Sequence, residues 1–203
     1  MTANEKRQSV AKVYSGIIGR NYYSQELRDY CFKAYNGRYY SDCSSSICYS
    51  YKEAGQGFGI LNTAGIYQSS KLTTVDITTK DGVPVNIGDL RVGDMLEFAG
   101  SDASRPLKIG HVEMVYSIDG DKVTLCGHGS GRPSYKDMAA YCKSRYNTWA
   151  AGGWRKGLVC VRRYIQDDPN KSGWMQEDGG RRFYLGNTGE CVRNSWYLDE
   201  DGK

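Results

Sequence analysis

Cys43 occupies a position where a cysteine could act as a nucleophile. Asp42 precedes it, and Ile47, Cys48 and Tyr51 follow with the spacing of one helical face. This pattern predicts a helix that begins at Cys43, with Asp42 as its N-cap. A thiol at the first helical position lies at the positive end of the helix dipole, which favours the nucleophilic thiolate. The alternative left open is a half-buried structural cysteine beside a polar cap.

Only two histidines, His111 and His128, are available as a base for that thiol. Both belong to a predicted β-hairpin whose turn is Asp119-Gly120. With a two-residue turn there, His111 faces His128 across the hairpin, with Cβ atoms about 4.5–5.5 Å apart. His128 could then orient His111 as the third member of a catalytic triad. A register shift of one residue would place a glycine opposite His111, and each histidine could instead be structural.

The periodicity around these residues changes from helical to extended along the chain, which predicts an α+β fold with N-terminal helices packed on an antiparallel sheet. The predicted helices cover residues 10–18, 24–34, 43–54, 62–67 and 135–146. The predicted strands cover residues 73–79, 94–98, 110–118, 122–126 and 158–165.

Three segments are predicted: a catalytic domain over residues 1–165, a polar linker over 166–172 and a repeat segment over 173–203. In the repeat segment, residues 183–189 are matched 13 residues later by residues 196–202. Each copy has an aromatic strand followed by a glycine turn. Because arrays of such hairpins need about three units to be stable, we expect this array to be incomplete.

Composition excludes several classes of protein. The chain has 203 residues, 25% charged and 39% hydrophobic, as in ordinary globular proteins. Its polar N-terminus and the lack of about 18 consecutive apolar residues predict synthesis in the cytoplasm without a signal peptide, and no membrane insertion. The seven cysteines include no C-x-x-C pair, so neither a disulfide framework nor a metal site is expected.

The net charge of +4 arises from the last third of the chain. From Arg132 onward there are 13 basic and nine acidic residues, whereas the preceding part has 14 of each. This excess favours binding to a polyanion such as a cell-wall polymer, although a solvated basic face is an equal alternative. No motif with interleaved basic and aromatic residues indicates nucleic-acid binding.

Three motifs in order resemble the NlpC-type cysteine peptidoglycan hydrolases: residues 40–46 around Cys43, residues 90–94, and residues 110–115 beginning Gly-His-Val. The Asp-Cys-Ser-Ser-Ser sequence also resembles the phage amidases of the pneumococcal-lysin group. The resemblance covers roughly residues 20–165. It implies a papain-like α+β core in which the cysteine helix packs on a sheet that carries the histidine. It also implies cleavage of an amide in the peptide stems of peptidoglycan, with no metal or cofactor.

The same resemblance implies roles for individual residues. Cys43 would be the nucleophile, His111 the general base and His128 the orienting residue. The implied substrate-binding residues are Asp42, Ser44, Tyr35 and Tyr40. The chain departs from the family pattern in the short loop after Tyr35, which lacks the usual Trp-Gly-Gly, and in Ser45, which replaces a common glycine.

The repeat segment resembles the cell-wall-binding repeats of Gram-positive lysins, in which aromatic rings hold a choline ammonium by cation–π contacts. The implied wall-binding residues are Trp174, Phe183, Tyr184, Trp196 and Tyr197. Phe183 stands where tryptophan is more usual, so the ligand could be choline or another wall polymer. The alternative is a strand-rich cap on the enzyme.

Together these patterns predict an endolysin-type peptidoglycan hydrolase that acts on the bacterial cell wall. Its expected partner is peptidoglycan, and its expected reaction is cleavage of a stem-peptide bond by a Cys-His-His triad. One alternative is an N-acetylmuramoyl-L-alanine amidase, which cuts the lactyl amide instead. The other is a non-catalytic wall-binding protein.

Overall fold

The computed structural model describes residues 1–168, 173–177 and 180–184. The chain divides into two compact units. One comprises Glu5–Ile165, and the other comprises Met1–Asn4 together with the residues from Gln166 onward. None of the described helices is long and apolar enough to cross a membrane.

Helices and strands alternate irregularly along the chain. The helices are α1 (Ala3–Ser15), α2 (Cys43–Glu53), α3 (Thr63–Gln68) and α4 (Met138–Tyr146), with single 3-10 turns at Arg28–Tyr30, Ile87–Asp89 and Pro106–Lys108. The strands are β1 (Tyr22–Tyr23), β2 (Tyr40–Ser41), β3 (Thr73–Val75), β4 (Thr79–Lys80), β5 (Val83–Pro84), β6 (Met95–Ala99), β7 (Ile109–Asp119), β8 (Lys122–Gly127), β9 (Ser134–Asp137), β10 (Leu158–Arg163), β11 (Gly173–Glu177) and β12 (Gly180–Tyr184).

A six-stranded antiparallel sheet in the order β3-β10-β6-β7-β8-β9 forms the centre of the larger unit. Apolar side chains of β6, β7, β8 and β10 pack with α4 into one buried cluster. The cluster contains Leu96, Phe98, Val115, Leu125, Val161, Met138 and Cys142. The predicted α+β class is therefore confirmed.

Helix α2 packs against β7, which brings its N-terminus to the sheet. Ile47 and Cys48 on this helix are fully buried. The Tyr51 hydroxyl donates a 2.7 Å hydrogen bond to the Gly93 carbonyl. A Cβ atom at Gly93 would lie 2.7 Å from that hydroxyl, and the residue has a φ of +89°, so glycine is required there. This contact fixes how α2 meets the turn before β6.

Three predicted helices differ from the structure. The helix predicted over residues 10–18 runs from Ala3 to Ser15 instead, and the N–H groups of residues 16–18 donate three residues back, as in a turn. The helix predicted over residues 24–34 is wrong, because only the turn Arg28–Tyr30 forms. The Cys31 carbonyl there accepts hydrogen bonds from the side chains of Arg20 and Asn21 instead of a helical N–H group. The helix predicted from residue 135 begins only at Met138, because residues 134–137 pair with β8 as an edge strand.

The described part of the repeat segment is one antiparallel hairpin. Strands β11 and β12 pair with Trp174 opposite Phe183, and Gly173 opposite Tyr184. The second copy of the repeat, with Trp196 and Tyr197, lies outside the described residues.

Candidate active site

Cys43 is the first residue of α2, as predicted, and Asp42 is its N-cap. The Asp42 carboxylate accepts a 2.7 Å hydrogen bond from the Ser45 backbone N–H, and the Asp42 N–H donates to the Ser45 hydroxyl at 2.8 Å. This reciprocal capping box holds the first turn in place. The Cys43 side chain is almost buried, with 7% of the residue exposed. Its thiol therefore lies at an ordered and largely desolvated helix N-terminus.

His111, on β7, is the base that the structure brings to this thiol. The Nε2 atom of His111 lies 2.7 Å from Glu113 Oε1. Because Nε2 faces Glu113, Nδ1 is the ring nitrogen available to the thiol. Burial lowers the pKa of His111, but the interactions with Cys43 and Glu113 outweigh burial and raise the pKa to about 9. At neutral pH His111 is therefore an imidazolium next to Cys43.

Glu113 is the third member of this arrangement, and the sequence motifs did not reveal it. Its side chain is fully buried, and both carboxylate oxygens lie 2.7 Å from Lys136 Nζ. The pKa of Tyr141 is raised, first by burial and then by the charge of this carboxylate. Burial raises the pKa of Glu113, but His111 and Lys136 together outweigh burial and hold the pKa below its usual value. Glu113 is thus a buried, ionised carboxylate that accepts from the His111 ring.

Gly127, at the end of β8, makes room for the Glu113 side chain. A Cβ atom added to Gly127 would overlap the Glu113 carboxylate, with both oxygens and the carboxyl carbon inside van der Waals contact. Glycine, which has no side chain, therefore leaves the space that this carboxylate occupies beside the neighbouring strand.

The substitution Gly127→Ala is expected to lower the rate of substrate hydrolysis by about ten- to hundredfold, because the displaced carboxylate no longer orients His111. It should also lower the free energy of unfolding by about 1–3 kcal/mol through overpacking. Gly129→Ala is the matched control, since a Cβ there meets no described atom within 4 Å. Urea unfolding and rate measurements on both variants test the prediction. Equal behaviour of the two alanine variants would contradict it.

The predicted register of the β7–β8 hairpin is wrong. Asp119 pairs with Lys122, so the turn is Gly120-Asp121 rather than Asp119-Gly120. A bulge between Val115 and Ser117 then shifts the pairing by one residue. The turn moves the pairing by two residues and the bulge returns it by one, so Met114 pairs with Cys126 and not with Leu125.

The structure consequently does not place His128 in the orienting position. His128 is fully buried, with Nδ1 2.9 Å from the Ser41 hydroxyl and Nε2 3.1 Å from the Gly131 carbonyl. Because a carbonyl only accepts, Nε2 carries the proton and Nδ1 accepts from Ser41. Burial lowers the pKa of His128 to about 4, so the ring is neutral at neutral pH. These contacts tie the loop after β8 to the strand that leads into Cys43.

A pocket of about 120 Å³ opens beside the thiol. Asp42 and Ser44, both predicted as substrate-binding residues, line it together with Cys43. The other lining residues are Gln25, Arg28, Asn62, Thr63, Arg105 and Gly110. These come from strand β7, the start of α3 and the segments around Arg28 and Arg105, and no sequence periodicity links them to Cys43, so only the folded chain reveals them.

The two tyrosines predicted to bind substrate lie in different settings. Tyr35 closes a tight turn with Arg38, and its ring packs on Tyr30 with centroids 4.7 Å apart. Tyr40 lies on β2 with its ring 5.9 Å from that of Tyr22. The structure does not place either among the residues that line the pocket.

Tyr23, which the sequence motifs did not single out, packs against His128. Its ring meets His128 edge to face at 5.4 Å. The pKa of Tyr23 is raised, first by burial and then by the charges of Cys43 and Asp42. The pair Tyr22-Tyr23 is visible in the sequence, but it ends 20 residues before Cys43. No local pattern connects it to the nucleophile.

No metal site is evident in the part of the chain that the structure describes, where no three His, Cys, Asp or Glu side chains converge as ligands.

No family model matches the chain, and no curated protein matches it. Among solved structures, the chain is similar to NlpC2 and NlpC1 from Trichomonas vaginalis, each at 14% identity and with TM-scores of 0.46 and 0.48. The matches cover 80% and 82% of this chain, which spans 47% and 46% of those two proteins. A third similar structure, Ly7917, has 14% identity and a TM-score of 0.39 over 80% of this chain and 62% of its own.

Proposed function

We propose that this protein is a cysteine hydrolase with Cys43 as nucleophile, His111 as acid and base, and Glu113 as orienting residue. The observation that carries the proposal is the His111 ring, which lies 2.7 Å from a buried, ionised carboxylate and whose pKa is raised by its interactions with Cys43 and Glu113. An imidazolium beside a thiol at a helix N-terminus favours the thiolate. Hydrolysis of an acyl bond is the chemistry that such a group performs.

The reaction follows from the positions of these groups. The Cys43 thiolate attacks the scissile carbonyl carbon, and the backbone N–H groups at the start of α2 stabilise the resulting oxyanion. The His111 imidazolium donates its proton to the leaving nitrogen, so the amide C–N bond breaks and a thioester remains. Neutral His111 then accepts a proton from water, and the hydroxyl group formed adds to the thioester. The carboxylic acid product and the Cys43 thiolate separate, and His111 is again protonated.

Peptidoglycan is the proposed substrate, because the three motifs around Cys43, Gly93 and His111 resemble those of NlpC-type wall hydrolases. We propose cleavage within the stem peptide as the first possibility. The Asp-Cys-Ser-Ser-Ser sequence at residues 42–46 supports the amidase reaction as the second, with the bond between muramic acid and the peptide as target. Both reactions use the same three groups and differ only in the substrate that the pocket positions. The bacterial cell wall is the proposed place of action.

The C-terminal segment is proposed to hold the enzyme on the wall. In the hairpin of β11 and β12, Trp174 pairs with Phe183 in the backbone register. Paired aromatic residues of this kind could contribute to a cage for choline or another cationic wall group. Removal of residues from Gly173 onward should then weaken binding to walls without abolishing cleavage of soluble fragments.

Mass spectrometry of fragments released from purified sacculi tests the proposed function. An endopeptidase releases fragments with a new free amine within the stem, whereas an amidase frees whole peptides from intact muramic acid. We expect one of these two product sets from the wild type and neither from Cys43→Ala. Binding to walls without any new fragment would support a non-catalytic wall-binding protein and contradict the proposal.

A further inference from the structure

Two arginines, Arg28 and Arg105, line the pocket beside Cys43. Neither belongs to the catalytic arrangement of thiol, imidazolium and carboxylate. Asp42 is the one carboxylate among the residues that line the pocket, and it pairs with Arg28. The ion-pair partner of Arg105 is Asp102, which lies outside the pocket lining, so the Arg105 guanidinium can attract an anionic group of the substrate.

Arg28 is held in place by three protein groups. Its Nη1 atom lies 3.4 Å from the Asp42 carboxylate, and its Nη2 atom donates to Ser44 and to the Leu61 carbonyl at 3.1 and 2.8 Å. Since Asp42 is itself the N-cap of α2, the guanidinium is positioned relative to Cys43 by short, rigid contacts. Arg28 therefore provides a fixed positive charge in the wall of the pocket, beside Asp42.

Arg105 is less fully engaged than Arg28. Its Nη1 atom donates to the Thr63 hydroxyl at 3.0 Å, and its Nε atom lies 3.4 Å from Asp102 Oδ2. These two contacts use one nitrogen each and leave Nη2 without a partner among the described residues. The Arg105 side chain is 35% exposed, so this edge of the guanidinium can receive a ligand from the pocket.

We propose that Arg28 and Arg105 form a subsite for a carboxylate that the substrate carries close to the scissile bond. The inference rests on the proposed hydrolase function and adds a selectivity to it. Guanidinium groups bind carboxylates through two parallel hydrogen bonds, and Arg105 retains a free edge for such a contact. A volume of about 120 Å³ accommodates a carboxylate with a few neighbouring atoms. The enzyme therefore selects stem peptides with a free carboxylate over those in which it is amidated.

Three matched muropeptides test this selectivity. Each is a disaccharide with a tetrapeptide stem: one has both carboxylates, one has a carboxamide at the glutamyl position, and one has a carboxamide at the C-terminus. We expect the carboxamide at one of the two positions to raise KM about ten- to hundredfold, since a charge-assisted hydrogen bond becomes a neutral one. The position that matters identifies which carboxylate the subsite binds. Equal KM values for all three substrates would contradict the subsite.

The Arg105→Gln variant separates binding of the carboxylate from a structural role. It should raise KM at least about tenfold for the sensitive carboxylate substrate and leave the KM for its carboxamide counterpart nearly unchanged. Arg38→Gln is the control, since Arg38 is an exposed arginine that packs on Tyr22 outside the pocket. Equal losses of Arg105→Gln on both substrates would show a structural role and overturn the inference. Failure of the wild type to cleave any of the three would instead count against the proposed function.

Discussion

Replacing Cys43 with alanine is expected to lower the rate of wall hydrolysis by at least about 10⁴-fold, because no other group can form the thioester. The thiol is small and the N-cap contacts of Asp42 and Ser45 do not depend on it, so the variant should keep its fold. The loss of turbidity of a wall suspension gives the rate, and circular dichroism checks the fold. Clearing by the variant at the wild-type rate would place the nucleophile elsewhere.

The other cysteines provide matched controls for this prediction. Burial raises the pKa values of Cys31, Cys48, Cys142 and Cys160 to about 12, so these four side chains are thiols at neutral pH. Cys160→Ala should therefore hydrolyse walls at the wild-type rate.

Iodoacetamide at pH 7 should modify Cys43 before these four residues, and peptide mapping would reveal the order of modification.

The position of Cys43 could be predicted from the sequence because its causes are local. An Asp before the cysteine and a serine three residues after the Asp suffice for a capping box, and the apolar spacing sets the helix face. The α+β class was predictable for the same reason, since the change of period from helical to extended lies in the residues themselves. Both predictions are confirmed.

The register of the hairpin could not be predicted with equal certainty. Asp119-Gly120 and Gly120-Asp121 are both acceptable two-residue turns, yet the residue opposite Ile118 differs between them by two positions. The bulge near Tyr116 then returns the pairing by one residue. A bulge depends on how the strand twists against its neighbours, and the sequence carries no signal of its own for that twist.

The role of Glu113 could have been inferred from the sequence. It is a charged residue within an apolar strand, between Val112 and Met114, and it lies two residues from His111. Residues i and i+2 of a strand point to the same face, so His111 and Glu113 are neighbours in any register. A carboxylate inside a buried strand requires a charged or donating partner, which here is His111 with Lys136.

By contrast, Arg28 and Arg105 reach the pocket from distant loops, and only the folded chain brings them together.

The substitution Glu113→Gln is expected to lower kcat/KM by about 10²- to 10⁴-fold, as the loss of an orienting carboxylate does in related triads. The amide cannot stabilise the His111 imidazolium by charge, and it leaves Lys136 without its buried counter-ion. Since the carboxylate helps to raise the pKa of His111 to about 9, its removal should lower that pKa. The alkaline limb of the pH–rate profile, where His111 loses its proton, should therefore move to lower pH.

Glu97→Gln is the matched control, because Glu97 is also fully buried and lies on the neighbouring strand β6. Burial raises the pKa of Glu97 to about 8, so its side chain is mostly neutral at pH 7 and an amide replaces it with little change in charge. Glu97→Gln should thus keep the wild-type rate and pH profile. A Glu113→Gln variant that is merely unstable would lose rate without a shifted alkaline limb in its folded fraction. An unshifted limb would therefore assign Glu113 to packing, whereas the shift would assign it to the control of the His111 proton.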